Sequence, residues 1–347
     1  MSRRHSWKAI QNAMLLVGTV LGGGFVSGKE LVKFYGGSGK AFLLCSILTG
    51  IGYALIVLLV MKCSKRENRY ELSFLSKTAF SKCYRLFDVF LLICYFIIMS
   101  AMLAATDSMF DTRFPTIVCI VLCFVFVQAG LNGLKGINCI LVPFILAFLL
   151  FVSLTSICTP ENTGPVWALS DKGLFASLAD TLLYVSMNML TTCGVLSEGA
   201  KDLSGKDINV CAVLFGIIMF LLVYLVGSAV ISAGSAVTAS DLPILDLSRR
   251  FGSIFQLVFK IVLLFGIFTT LISSAYPMSS YFKREPKWLY NLIMLAASYG
   301  FSRLGFSVIV EVVYPIMGLM GAVFFLSFAI NGIPIINRKN SENWAKM

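Results

Sequence analysis

Long apolar stretches divided by short polar connections occupy almost all of this chain. In order they fall at 10–36, 39–62, 86–106, 115–131, 137–157, 173–200, 208–233, 251–280, 288–305 and 307–333. Each approaches the roughly twenty residues that a helix needs to cross a bilayer. The pattern predicts an all-α polytopic membrane protein with ten transmembrane helices. Two of them read as discontinuous. In the first, Ile10–Leu21 is free of charge, and Gly22, Gly23 and Gly24 then fall where a bilayer is driest. Each glycine forgoes about 1 kcal/mol of helix propensity, and lipid offers no partner for the backbone groups it releases. Ser27-Gly28-Lys29-Glu30 spells a capping box, which predicts a second half-helix from Ser27 to Tyr35. The competing reading is close helix packing, because Gly18/Gly22 and Gly24/Gly28 are spaced i, i+4. In the sixth stretch, Asn188, Thr191, Thr192 and Gly194 place polar and small residues at mid-membrane and predict a matching interruption, with a polar helix contact as the alternative.

A shift of 170 residues lays 39–62 on 209–232, 86–106 on 256–276, 115–131 on 285–301 and 137–157 on 307–327. Five spans per half is an odd number, so the two halves take opposite orientations, the inverted repeat of many secondary transporters. The expected division is a first five-helix repeat at 1–157, an extracytoplasmic linker at 158–172, a second repeat at 173–336 and a cytoplasmic tail at 337–347.

Composition agrees. With 58% hydrophobic and 13% charged residues, a mean hydropathy of +0.87 and 29 Phe in 347 residues, a soluble globular domain is excluded. The basic start SRRHSWK leads into a span without a small-x-small cleavage pattern, so the first segment is expected to be retained. The net charge of +11 is spread over the connections rather than gathered in one patch, which argues against a nucleic-acid partner. If the N-terminus is cytoplasmic, 19 Lys and Arg fall inside and 6 outside, so both termini are expected in the cytoplasm of a multi-pass cell-membrane protein. The basic connection 62–85 reads either as a surface helix over Phe74, Leu75 and Phe80 or as a solvated loop.

The ten cysteines contain no C-x-x-C pair and read as reduced, small apolar residues. Cys119 and Cys123 share a helix face, but no other soft ligand is in view and the one histidine is His5, so no metal site is expected. Enzyme chemistry is unsupported: there is no Ser/His/Asp set, no H-E-x-x-H and no phosphate loop, and no strand precedes Gly22–Gly24. No cofactor is expected beyond Na+ or H+ as a coupling ion. In so Phe-rich a chain, Tyr53, Tyr95, Tyr184 and Tyr276 read as packing.

The stretch GTVLGGGFVSGKEL, residues 18–31, resembles the first-span signature of the YkvI-type membrane proteins. The span plan resembles the wider amino acid-polyamine-organocation superfamily with its five-plus-five, LeuT-like fold. The resemblance implies a transport role and names no substrate. It also implies a sodium ion between the first and eighth spans, held here by Thr269, Thr270 and Ser273, whose spacing places them on one helix face. Oxygen-only ligation suits a hard cation, although such hydroxyls also bond back to their own helix.

Helix-end electrostatics complete the picture. Free carbonyls of Thr19 and Val20 suit a cation, and free N–H groups after Gly24 suit a carboxylate. The expected substrate site is therefore Gly22, Gly23, Gly24, Phe25, Val26 and Ser27 with Asn188, Thr191 and Thr192. Glu30 and Lys33 are candidates for an i, i+3 pair at an outer gate. Lys260 lies deep in its span and calls for a carboxylate among Glu198, Asp180 and Glu311, unless it snorkels outward. The functional expectation is an ion-coupled secondary transporter of a small organic solute, amino acid or amine-like. The alternative is a non-transporting receptor that keeps the fold. Substrate, coupling ion, direction and oligomeric state are left open.

Overall fold

A computed structural model describes residues 2–110, 112–158, 172–282 and 286–337. The linker of 158–172 therefore lies outside the described residues except for Cys158 and Lys172, as does the tail beyond Asn337.

The regular structure is helical. It comprises α1 (Ser2–Val20), α2 (Gly23–Ser27), α3 (Lys29–Tyr35), α4 (Phe42–Glu67), α5 (Leu72–Phe80), α6 (Tyr84–Met109), α7 (Phe114–Val127), α8 (Gly130–Cys158), α9 (Leu174–Gly199), α10 (Gly205–Ser232), α11 (Ser235–Thr238), α12 (Pro243–Ser248), α13 (Ser253–Tyr281), α14 (Lys287–Phe301), α15 (Phe306–Val308) and α16 (Tyr314–Asn337). A π-helical turn over Ile309–Val313 leads into α16.

Among the described residues, seven helices are long and apolar enough to cross a bilayer. The other three expected spans meet shorter elements: the interrupted α1–α3, then α7 with 14 residues and α14 with 15. Many large apolar side chains face outward, among them Phe175 at 88% and Ile254 at 81% exposure. In water such a surface would aggregate; against acyl chains it costs nothing. This is a multi-pass membrane protein.

The first span breaks, but not where the three glycines alone place it. The helical run stops at Leu21 and Gly22, where Gly22 is extended (φ −76°, ψ −178°). Gly23 and Gly24 then start α2. Gly28 adopts the left-handed conformation (φ +86°) that ends α2 and turns the chain into α3. The expected capping box is absent. Ser27 Oγ donates to the Gly24 carbonyl at 3.0 Å and accepts the Lys29 amide at 3.3 Å, so it closes the short helix instead of opening the next. Close packing holds as well: a Cβ at Gly18 would run into Asn138 and Val142 of α8. Replacing Gly28 by Ala should destabilise the protein by about 1–2 kcal/mol through the left-handed backbone. The added Cβ would also meet Ile244 and Val230 at 3.0 Å. Thermal unfolding in detergent measures this.

The sixth span, expected to be broken, is continuous from Leu174 to Gly199. The physical reason is local. Asn188 Nδ2 donates to the Tyr184 carbonyl at 3.1 Å, and Thr191 and Thr192 donate to the Asn188 carbonyl at 2.9 and 2.7 Å. These groups satisfy themselves on the turn behind them and leave the helical ladder whole.

Of the two readings of 62–85, the helix holds. α4 ends at Asn68 in the left-handed conformation. Then α5 buries Leu72, Phe74 and Leu75, with Phe80 half-buried against Phe87. α16 pins it, since Ser327 Oγ and Asn331 Nδ2 both donate to the Ala79 carbonyl.

Crossings are tight where glycines meet backbone. A Cβ on Gly50 of α4 would stand 2.6 Å from the Gly216 carbonyl of α10, and one on Gly216 would stand 2.6 Å from that of Gly50. On α16, Gly318 and Gly321 face the carbonyls of Leu183 and Ser186 of α9 at the same separation. All ten cysteines are unpaired, and seven are buried as small apolar residues. Among the described residues no cluster of three His, Cys, Asp or Glu forms that could hold a metal ion.

Candidate functional site

The break in the first span frees carbonyls, and the structure supplies their partners. Gly18 O accepts Thr269 Oγ1 at 3.1 Å and Thr270 Oγ1 at 3.3 Å, and Thr19 O accepts Thr270 Oγ1 at 3.2 Å. Thr19 Oγ1 stands 3.3 Å from Ser273 Oγ, which itself donates to the Thr269 carbonyl at 2.7 Å. The hydrogen bonds between α1 and α13 thus run from oxygen to oxygen, and Thr19, Thr269, Thr270 and Ser273 come together. Val20 contributes a carbonyl already engaged by the Gly22 amide at 2.7 Å. Gly266 allows the approach, since a Cβ there would sit 2.9 Å from the Leu21 carbonyl.

Beside this seam lies a buried cavity of about 10 Å³, lined by Thr19, Val20, Gly22, Glu30, Ile98, Met102, Met187, Asn188, Thr191, Thr270 and Tyr314. That is room for about one water molecule. Of the expected substrate residues, Gly22, Asn188 and Thr191 line it. Gly23, Gly24, Phe25, Val26, Ser27 and Thr192 are buried around it without lining it. The Gly23 amide points at Met102 Sδ, 3.1 Å away.

Four lining residues, Ile98, Met102, Met187 and Tyr314, were not legible as site residues. Tyr314 is the first residue of α16, 1% exposed, and its hydroxyl has no hydrogen-bond partner. Met102 and Met187 come from spans with no polar signal at those positions. Their proximity to Gly22 is purely tertiary.

The charged candidates are placed differently from expectation. Glu30 and Lys33 do not pair. Glu30 is 4% exposed, turned into the cavity, and its Oε2 has no hydrogen-bond partner. Instead Lys29 closes the side of the molecule opposite α5. Its Nζ donates to the Ser240 carbonyl at 3.2 Å, with Glu311 at 3.7 Å and Asp241 at 4.0 Å. The π-helical turn before α16 carries Glu311 to that position. Lys260 finds none of its expected carboxylates: its ammonium sits over the Phe110 ring, 5.6 Å from the centroid. Glu198 accepts the Tyr276 hydroxyl at 2.6 Å, Asp180 pairs with Lys172 at 3.3 Å, and Glu311 faces Lys29. The residue is half-buried, as snorkelling requires.

On the α5 side a vestibule of about 760 Å³ opens, lined by the 68–73 connection and by Gly194, Glu198, Lys201, Pro277, Ser280 and Tyr281. At its floor the Gly194 amide donates to the buried Tyr95 hydroxyl at 3.0 Å. The Pro277 ring lies where a Gly194 side chain would be. Tyr95, read from sequence as packing, is therefore also a hydrogen-bonding partner of α9.

An interrupted first helix clamped by hydroxyls of the eighth span, beside a small buried cavity, is the arrangement of the LeuT-like transporter fold. Three solved structures superpose on the fold of this chain. MhsT in complex with L-phenylalanine superposes with a TM-score of 0.66 at 15% identity, over 94% of this chain and 87% of that one. The nucleobase-cation-symport-1 family transporter Mhp1, in a closed conformation with bromovinylhydantoin bound, gives 0.58 at 10% identity over 94% and 77%. A manganese transporter of Eremococcus coleocola gives 0.55 at 14% identity over 98% and 82%. These neighbours are described as transporters or ligand complexes rather than enzymes.

In sequence, the chain is similar to two proteins of Bacillus subtilis (strain 168). It is 24% identical to the uncharacterized protein YyaD over 341 residues, covering 96% of this chain and 99% of that protein. It is 24% identical to the uncharacterized membrane protein YkvI over 330 residues, covering 91% and 94%. The resemblance read from residues 18–31 thus extends over nearly the whole chain. No family model matches it.

Proposed function

We propose that the protein is an ion-coupled secondary transporter of a small organic solute, amino acid or amine-like, working by alternating access around the first and sixth spans. In this reading ten segments cross the cell membrane, in two inverted repeats over 1–157 and 173–336. Both termini are cytoplasmic and the α5 side faces the cytoplasm.

The observation that carries the reading is a buried central cavity at a helix break, between an open vestibule on one side and the Lys29 closure on the other. Alternating access needs such a buried midpoint with two separable barriers. The shared fold with solute-binding proteins supports the same reading.

The oxygen set of Gly18, Thr19, Thr269, Thr270 and Ser273 fits a hard cation such as Na+ in donor chemistry. A threonine hydroxyl that now donates can rotate to present its lone pairs. A bound cation there would supply positive charge at the break. The chain's own part is to hold α1 and α13 in register through these oxygens. Gly22, Asn188 and Thr191 then shape the wall against which a solute rests.

Purified protein in proteoliposomes, offered a panel of amino acids and amines, should show saturable uptake that a sodium gradient accelerates. Saturable binding without flux under any gradient would overturn transport and leave a receptor.

A further inference from the structure

We propose that Glu30 is the recognition group of the central cavity and that the solute it takes is an organic cation, carried by a protonated amine. This rests on the cavity being the solute site of the transporter reading, and it narrows that reading from zwitterions to ammonium compounds.

The geometry begins at Gly28. Its left-handed turn bends α3 back across α2, so the Glu30 side chain folds over Gly24, where a Cβ would overlap the carboxylate. Glycine at 24 is thus a cradle for this acid. Gly28 sets the direction of α3, and consecutive positions on that helix diverge: Lys29 leaves for Ser240, Asp241 and Glu311, while Glu30 turns inward. Among the described residues no cation stands within ion-pair distance of Glu30, and its Oε2 has no hydrogen-bond partner.

A buried carboxylate without a partner is relieved either by taking up a proton or by meeting a cation that arrives, and Glu30 takes the second course. The Tyr314 hydroxyl opens on the same cavity, likewise without a partner. An ammonium offers three N–H donors, enough to serve both. Part of the wall, Ile98, Met102 and Met187, is apolar and suits the carbon skeleton of an organic solute, while Thr19, Asn188, Thr191 and Thr270 supply neutral polar groups beside it. It carries no cationic side chain to meet a carboxylate on the solute.

The test is equilibrium binding to the purified full-length protein, using matched triples that share a carbon skeleton: leucine, 3-methylbutylamine and 4-methylpentanoate, and the equivalent sets built on phenylalanine and alanine. NaCl and MnCl2 alone are included. The amines should bind in preference to the amino acids and acids. Glu30→Gln should weaken amine binding about tenfold to a hundredfold, the worth of a charge-assisted hydrogen bond, whereas Glu30→Asp should retain part of it. Unfolding temperatures without solute establish that both variants fold.

The inference falls if no amine binds. It also falls if amino acids or acids bind and Glu30→Gln leaves them unaffected, or if only a metal ion depends on Glu30. Flux separates the two levels. Glu30-dependent amine binding without transport would sink the transporter reading alone. Normal amino acid transport by Glu30→Gln would sink this inference alone.

Discussion

Substituting Gly321 by valine should leave no monodisperse, folded protein after detergent extraction. At this point α16 lies against the backbone of α9, and a Cβ on Gly321 would stand 2.6 Å from the Ser186 carbonyl and 2.9 Å from its carbon. Overpacking a core usually costs about 1–3 kcal/mol because side chains can yield. Here the obstacle is main chain, so the two helices must separate. Separation would disturb Tyr314 at the head of α16 together with Asn188 and Thr191 on α9, three walls of the cavity. The control is Gly136→Ala on α8, where a Cβ meets nothing within 4 Å. That variant should extract and elute like the parent. Size-exclusion profiles of the two decide the matter, and a folded Gly321→Val protein would contradict the crossing.

Thr270→Val should lower the initial rate of solute uptake at least tenfold and remove its dependence on a sodium gradient, while the protein remains extractable. Valine keeps the shape of threonine and deletes the hydroxyl. That hydroxyl bonds the carbonyls of both Gly18 and Thr19 and lines the cavity. Gly18 O keeps Thr269 Oγ1 as a donor, so the loss falls on the Thr19 carbonyl. One buried group left unmatched costs about 1–3 kcal/mol, which at 1.4 kcal/mol per tenfold is about one to two orders of magnitude in an equilibrium. Thr270→Ser keeps the hydroxyl and should keep most of the uptake. Unchanged sodium-stimulated uptake in Thr270→Val would show that the seam only fastens α1 to α13.

The general plan was legible because a bilayer makes few demands and makes them everywhere: apolar runs of sufficient length, and basic residues between them. The interruption of the first span announced itself in the three glycines, although Gly23 and Gly24 begin α2 and the left-handed turn at Gly28 was hidden inside an expected capping box. The seam of Thr269, Thr270 and Ser273 was legible from side-chain chemistry together with a family likeness. The sixth span misled, because Asn and Thr in a membrane serve a ligand and their own helix equally well on paper. Only the distances to the Tyr184 and Asn188 carbonyls show that the second use prevails in this structure.

The partner of Lys29 was not legible at all. Ser240 is 211 residues away, and successive residues of α3 point about 100° apart, so Lys29 reaches Ser240 while Glu30 folds over Gly24. Sequence spacing pairs Glu30 with Lys33 one turn on and says nothing of either destination. Tyr314 escaped notice for a related reason: the π-helical turn before it resets which face of α16 looks inward.

The floor of the vestibule has a mechanical consequence. Gly194 directs its amide sideways to Tyr95, and the facing Pro277 has no amide to give to the Ser273 carbonyl in α13. Pro277 thus leaves α13 short of one ladder bond, at the depth where Gly194 offers it a bare face of α9. In the transporter reading, the stretch of α13 beyond the oxygen seam would hinge at that gap along α9 while the seam itself stays clasped.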